Sequence, residues 1–188
     1  MEKLYESPLV TERLRLRPPC AADAPALFDI FSDGEVMRYW SSLPWKSMKE
    51  AEEYVTHSIE DLKGSEALQL GIELAESKRI IGTATLFHFH KPSRRAEIGY
   101  ALGRNYWGKG YMIEAMTALI NHSFNTLGLN RLEADIDPRN IPSARLLERL
   151  GFEREGALRQ RWIVNGEISD TWLYGLLHED WRRAREVS

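Results

Sequence analysis

Between Leu102 and Ile120 the chain reads LGRNYWGKGYMIEAMTALI: the end of an alternating run, a turn holding Gly108-Lys109-Gly110, and a long amphipathic segment. No other feature limits the fold as much. A strand that enters a helix and is followed by a further strand, Arg131 to Ile136, demands a right-handed crossover onto a parallel neighbour. The preceding segments demand the opposite arrangement. Leu68 to Leu74 alternates, Glu76-Ser77-Lys78 is a turn, and Arg79 to His90 is a longer strand, which together make an antiparallel hairpin. Ala96 to Leu102 is the third strand of the group. The sheet is therefore mixed, antiparallel early and parallel where the glycine turn sits.

The flanking segments complete the order. Arg13-Leu14-Arg15-Leu16-Arg17 alternates as a half-buried strand and ends at Pro18-Pro19. A short helix spans Asp23 to Asp33, with Leu27, Ile30 and Phe31 inward. MRYWSSLPW, Met37 to Trp45, is aromatic and irregular. Ser47 with Glu50 forms a capping box for a second helix, lined by Ala51, Val55, Ile59 and Leu62 and stopped by Gly64. The helix after the glycine turn spans Tyr111 to Leu127. Met112, Met116, Leu119, Ile120 and Leu127 face inward, Glu114, Thr117, Asn121 and Asn125 form the polar face, and Gly128 follows as its cap. Asn140 to Leu150 is a helix ended by Gly151. Phe152 to Val164 and Glu167 to Leu177 form a hairpin around Asn165-Gly166. The order is β-α-α-β-β-β-α-β-α-β-β, with no repeat or linker, so residues 1–188 read as one domain.

Composition removes several function classes. The net charge is −3, against the strong positive charge usual for nucleic-acid binders. No 18-residue apolar run exists, so neither a membrane span nor a membrane partner is expected. MEKLYESPLVTERLRLRPP has no apolar signal core. The single Cys20 excludes an intrachain disulfide and fits a reducing, cytoplasmic setting; nothing around it activates a thiolate.

The chemistry gathers at two helix starts. A helix N-terminus presents unpaired N–H groups and partial positive charge, and glycines let an anion approach the backbone. Gly108 and Gly110 give that access and Lys109 adds a cation, so phosphate or pyrophosphate is the natural guest. A tight turn without a ligand fits the same residues. The P-loop pattern is absent, and Ile113 stands where the dinucleotide fingerprint needs glycine or alanine. Asn140 and Ser143 begin the next helix. In a β-α-β-α unit both helix starts lie at the same sheet edge and flank one crevice, although capping alone also accounts for Asn140. His88 and His90 alternate onto one face without a third metal ligand, so no metal is expected. His57, His122 and His178 read as surface residues.

EIGYAL (Glu97–Leu102), YWGKGYMIEA (Tyr106–Ala115), NIPSARLLERLGF (Asn140–Phe152), WIVNGEISDTWLYGLL (Trp162–Leu177) and the early ERLRLRP resemble the GNAT superfamily of N-acetyltransferases, specifically its RimJ/RimL-like branch, over nearly the whole chain. The resemblance implies an α/β (α+β) GNAT acyl-CoA N-acyltransferase fold, a mixed splayed sheet of about seven strands with about four helices. It implies acetyl-CoA as cosubstrate, lying where the strand before the glycine turn parts from its parallel neighbour. The turn from Asn105 to Tyr111 (Asn105, Gly108, Lys109, Gly110, Tyr111) would hold the pyrophosphate. Tyr100, Ala101 and Leu102 would pair with pantetheine along their strand edge, with Asn140 and Arg149 as further cofactor contacts. Asn105 departs from the family's usual glutamine or arginine.

The implied reaction is direct attack by a primary amine in a ternary complex. A free amine has a pKa of about 10, so a base must take its proton; Glu97 is the candidate base. A backbone N–H near Gly99 or Tyr100 would meet the oxyanion, and Ser143 would protonate the leaving thiolate. Tyr39, Trp40, Trp45, His88 and Trp162, with Tyr174 opposite, are candidates for the acceptor walls. The branch points to a protein N-terminal α-amine, as in ribosomal proteins. A small-molecule amine (amino acid, polyamine, antibiotic) and a noncatalytic acyl-CoA-binding module are the alternatives. Homodimers occur among its members, and the last hairpin is a candidate interface.

Overall fold

The computed structural model describes residues 4–186; residues 1–3 and 187–188, included in the one-domain and no-signal readings, lie outside that range. Strands β1 (Leu9–Val10) and β2 (Leu14–Arg17) open the chain. Helices α1 (Ala24–Phe31) and α2 (Met48–Gly64) precede the meander β3 (Leu68–Leu74), β4 (Ile80–His90) and β5 (Arg95–Leu102). Then come α3 (Tyr111–Asn121), β6 (Arg131–Ile136), α4 (Ile141–Arg149), β7 (Glu153–Val164), β8 (Glu167–Leu177) and α5 (His178–Glu186). The described strands form one mixed sheet of eight, ordered β1-β2-β3-β4-β5-β6-β8-β7. That is one strand and one helix beyond the sequence expectation: β1 is only two residues long, and α5 is so charged that its single apolar anchor, Trp181, gives little periodic signal.

All neighbours are antiparallel except β5 and β6. These two share only three register pairs, Arg95–Arg131, Ala96–Leu132 and Glu97–Glu133, and then part. Strand β8 inserts between β6 and β7, so the second crossover does not land on an adjacent strand.

The core has two parts, one on each sheet face. Ala96 and Ile98 of β5 join Met116 and Leu119 of α3 and Leu147 of α4. Ala101 of β5 joins Leu27 and Phe31 of α1 and Val55 of α2. Even-numbered β5 side chains thus face α3 and α4, and odd-numbered ones face α1 and α2, as the period of two requires.

Several local expectations need correction. The buried face of α2 is Ala51, Val55 and Ser58, while Ile59 is exposed. Its left-handed cap is Ser65 (φ 58°), one residue after Gly64. The helix after the glycine turn becomes a π-turn over His122–Thr126, where the Ser123 hydroxyl bonds Leu119 O at 2.7 Å. Its polar face is a docking face. Glu114 takes Arg13 and Asn121 takes the Trp181 indole. His178 stacks on Phe124 and His122 bonds Leu4 O, so neither is a plain surface residue.

Candidate active site

The glycine turn is shaped by backbone conformation. Gly108 (φ 71°) and Gly110 (φ 78°) are left-handed, and a side chain at Gly108 would meet nothing within 4 Å. Both glycines are needed for their dihedrals rather than for crowding. Arg13 fixes the turn from outside. Its guanidinium donates to Lys109 O (3.0 Å) and Glu114 (2.7 Å) and lies 4.5 Å from the Tyr111 ring centroid. Asn105, Trp107 and Lys109 are exposed, and Asn105 sits on a 3₁₀ turn, Arg104–Tyr106. Among the described residues no side chain caps the first turn of α3, unlike α4, where Asn140 Oδ1 accepts from Ser143 N–H at 3.2 Å. The α3 amides are thus left for an anion, which fits a pyrophosphate.

Between β5 and β6 the backbone has its own unpaired edge. Gly103 N–H donates to Ile81 O of β4, whereas Asn130 and Arg131 N–H reach Arg94 O. Backbone groups alternate between the two neighbours of a strand. Ala101 and Gly99 therefore serve β4, which corrects the expectations that Ala101 pairs with pantetheine and that Gly99 serves the oxyanion. The last β6 pair, Glu97–Glu133, is closed through Ile98 N–H, so the Ile98 carbonyl, Tyr100 and Leu102 face the gap that β6 has left. The Trp107 indole N–H already occupies Leu102 O at 2.7 Å.

A cleft of about 570 Å³ opens at this gap, lined by Glu97, Gly99, Tyr100, Asn140 and Ser143, among others. Glu97 stands at the last paired position, with its side chain 29% exposed. Its arginine neighbours are engaged elsewhere: Arg95 pairs with Glu133 and Arg131 with Glu133 and Glu155. The carboxylate instead meets His88 Nδ1 at 3.1 Å. A bulge between Phe87 and His90, with His88 at φ 51°, breaks the expected alternation. His88 turns to Glu97, and His90 accepts from Ser93 N–H. Across the gap, Tyr100 Oη lies 2.6 Å from Ser143 Oγ. Burial pushes the Tyr100 hydroxyl up to about 12.

The acceptor candidates divide. Tyr39, Trp40, His88 and Trp162 line the cleft. Trp45 does not: it packs on Phe31 (4.6 Å) and Tyr54 (5.6 Å) in the second core. Tyr174 is also a core residue, 1% exposed, with its hydroxyl on Glu148. Arg149 is exposed in the last turn of α4, roughly 13 Å along the axis from Asn140, so it is not brought to the cleft.

No sequence motif points to six charged lining residues, Arg38, Asp135, Asp137, Arg139, Arg161 and Glu167. Asp135 accepts from Thr171 and Trp162, and Asp137 holds Arg139. The alternation of RLEADI was the available signal for Asp135, since it puts Arg131, Glu133 and Asp135 on one face.

The acetyltransferase (GNAT) domain model matches residues 13–153. An uncharacterized N-acetyltransferase p20 of Bacillus licheniformis is 38% identical, over 96% of this chain and 99% of its own length. The [ribosomal protein uS5]-alanine N-acetyltransferase of Escherichia coli is 30% identical, over 94% of each chain. A solved structure from Vibrio cholerae, described as a candidate ribosomal-protein-serine acetyltransferase, superposes with a TM-score of 0.79 at 29% identity. It covers 92% of this chain and 98% of that one.

Proposed function

Because this chain belongs to the GNAT acetyltransferase family and is an N-acetyltransferase, we propose that its β5–β6 gap carries acetyl transfer from acetyl-CoA to a protein N-terminal α-amine. The single observation behind this reading is the parting of β5 from β6 directly after Glu97. It leaves strand-edge amides and a carboxylate at the mouth of one cleft.

In this reading Gly108, Lys109, Gly110 and Tyr111 hold the pyrophosphate, and the free edge from the Ile98 carbonyl to Tyr100 aligns pantetheine as an added strand. Glu97, on the α1–α2 face, accepts the amine proton directly or through one water. The Tyr100 N–H meets the oxyanion. Ser143 serves the departing sulfur, and no covalent enzyme intermediate is needed.

The relative named for the alanine terminus of ribosomal protein uS5 supports a chain terminus as acceptor. The cleft walls carry Arg38, Arg139 and Arg161 against Glu97, Asp135, Asp137 and Glu167, one carboxylate in excess, which suits a single ammonium better than a polycation. The test is thiol release from acetyl-CoA with peptides bearing free N-termini, set against polyamines and amino acids, with mass spectrometry to locate the acetyl group. Acetylation confined to polyamines or lysine side chains would refute the α-amine assignment.

A further inference from the structure

Tyr100 and Ser143 come from different elements, β5 and α4, and meet across the gap at 2.6 Å. Both line the cleft, and Ser143 is only 8% exposed. Neither hydroxyl makes another hydrogen bond among the described residues. One hydrogen therefore lies between the two oxygens and one remains. Either oxygen can hold the shared hydrogen; a phenol is a much stronger acid than an aliphatic alcohol, which favours Tyr100 as donor and Ser143 as acceptor. In that arrangement the remaining hydrogen is the one on Ser143.

Resting on the acetyl-transfer reading above, we propose that Tyr100 is a positioning residue: its hydroxyl fixes Ser143 so that the serine hydrogen points into the gap, toward the thioester sulfur. Glu97 takes the ammonium proton and passes it to solvent. The freed amine lone pair forms the new N–C bond, and the carbonyl π pair moves to oxygen. The adduct gives a second N–H proton to Glu97. The oxyanion pair re-forms the carbonyl as the C–S bond breaks, with its electron pair leaving on sulfur. Ser143 donates a hydrogen bond to that thiolate, which takes its final proton from solvent water. Outright transfer from the pair is disfavoured. Burial holds the Tyr100 hydroxyl near 12, and a thiol ionises near 8.5, a difference of roughly three orders of magnitude in acidity. The sheet geometry keeps the two chemistries apart, with Glu97 on the α1–α2 face and Tyr100 on the α3–α4 face of the same strand.

The experiment compares wild type, Tyr100→Phe, Ser143→Ala and the double variant, by steady-state kinetics and by calorimetry with CoA. Tyr100→Phe should lower kcat about tenfold, leaving KM for acetyl-CoA and the Kd of CoA within about twofold. The double variant should be no slower than Ser143→Ala alone, because Tyr100 acts only through Ser143. An unchanged kcat in Tyr100→Phe, or losses that multiply in the double variant, overturns the proposal. Should Tyr100→Phe not fold, Ser143→Ala decides: a kcat equal to wild type refutes the role. A wild type that binds CoA but transfers acetyl to no amine sinks the transfer reading itself, and this proposal with it. An active wild type with independent losses sinks this proposal alone.

Discussion

At the residue scale, Glu97 is set apart from the other acidic side chains around it by what it lacks. Glu133, paired with it in register, is neutralised by Arg95 and Arg131, whereas among the described residues Glu97 has only His88. A carboxylate free of guanidinium partners can accept a proton from a bound ammonium. Glu97→Gln keeps the shape and removes the basicity. Its kcat should fall roughly 10²-fold, with CoA affinity within about twofold by calorimetry; undiminished turnover would mean the proton goes elsewhere. Glu97 was legible through motif resemblance, and its face followed from alternation. Trp45 was misread because an aromatic near a cleft and an aromatic in a core look the same in sequence; only its stacking on Phe31 and Tyr54 separates them.

At the element scale, the turn into α3 couples local conformation to binding. Gly110 is the N-cap at φ 78°, and any added Cβ would also stand 3.5 Å from the Arg13 guanidinium. Gly110→Val should destabilise the fold by roughly 1–2 kcal/mol. It should also weaken CoA binding at least tenfold, since tilting the first α3 amides misdirects them. Titration calorimetry and thermal melts measure both. A variant that binds CoA as well as wild type would show that these amides do not hold the ligand. The strand–turn–helix order was readable from glycine placement and periodicity. The Arg13 strut was not, because it joins residues about a hundred positions apart.

At the scale of the whole molecule, acid stability follows from carboxylates held below their ordinary values, Asp23, Glu114 and Asp137 among them. Burial raises Asp23, Glu114 and Asp137. Hydrogen bonds and charge from Arg17, from Thr11 and Arg13, and from Arg139 outweigh it, holding all three below their ordinary values. A folded pKa below the unfolded one means the unfolded chain binds more protons. The stabilisation is complete above the unfolded values, near 3.8 and 4.5, and fades as pH drops through the folded ones. Melting temperature should hold from pH 8 to about 5.5 and decline below about 4.5. A flat profile down to pH 3 would contradict the ion-pair assignment. Acetyl-CoA at a hundredfold excess over its Kd should add about 2.7 kcal/mol of stability, seen as a raised melting temperature that free acetate does not reproduce. The chain alone determined seven of the eight described strands, four of the five α-helices and the crossover from β5 to β6, because periodicity, turns and handedness are local. Only the tertiary structure decided where β5 leaves β6, which edge amides stay unpaired, and that Tyr100 would meet Ser143. Each of these depends on how segments distant in sequence pack, and no local pattern encodes that.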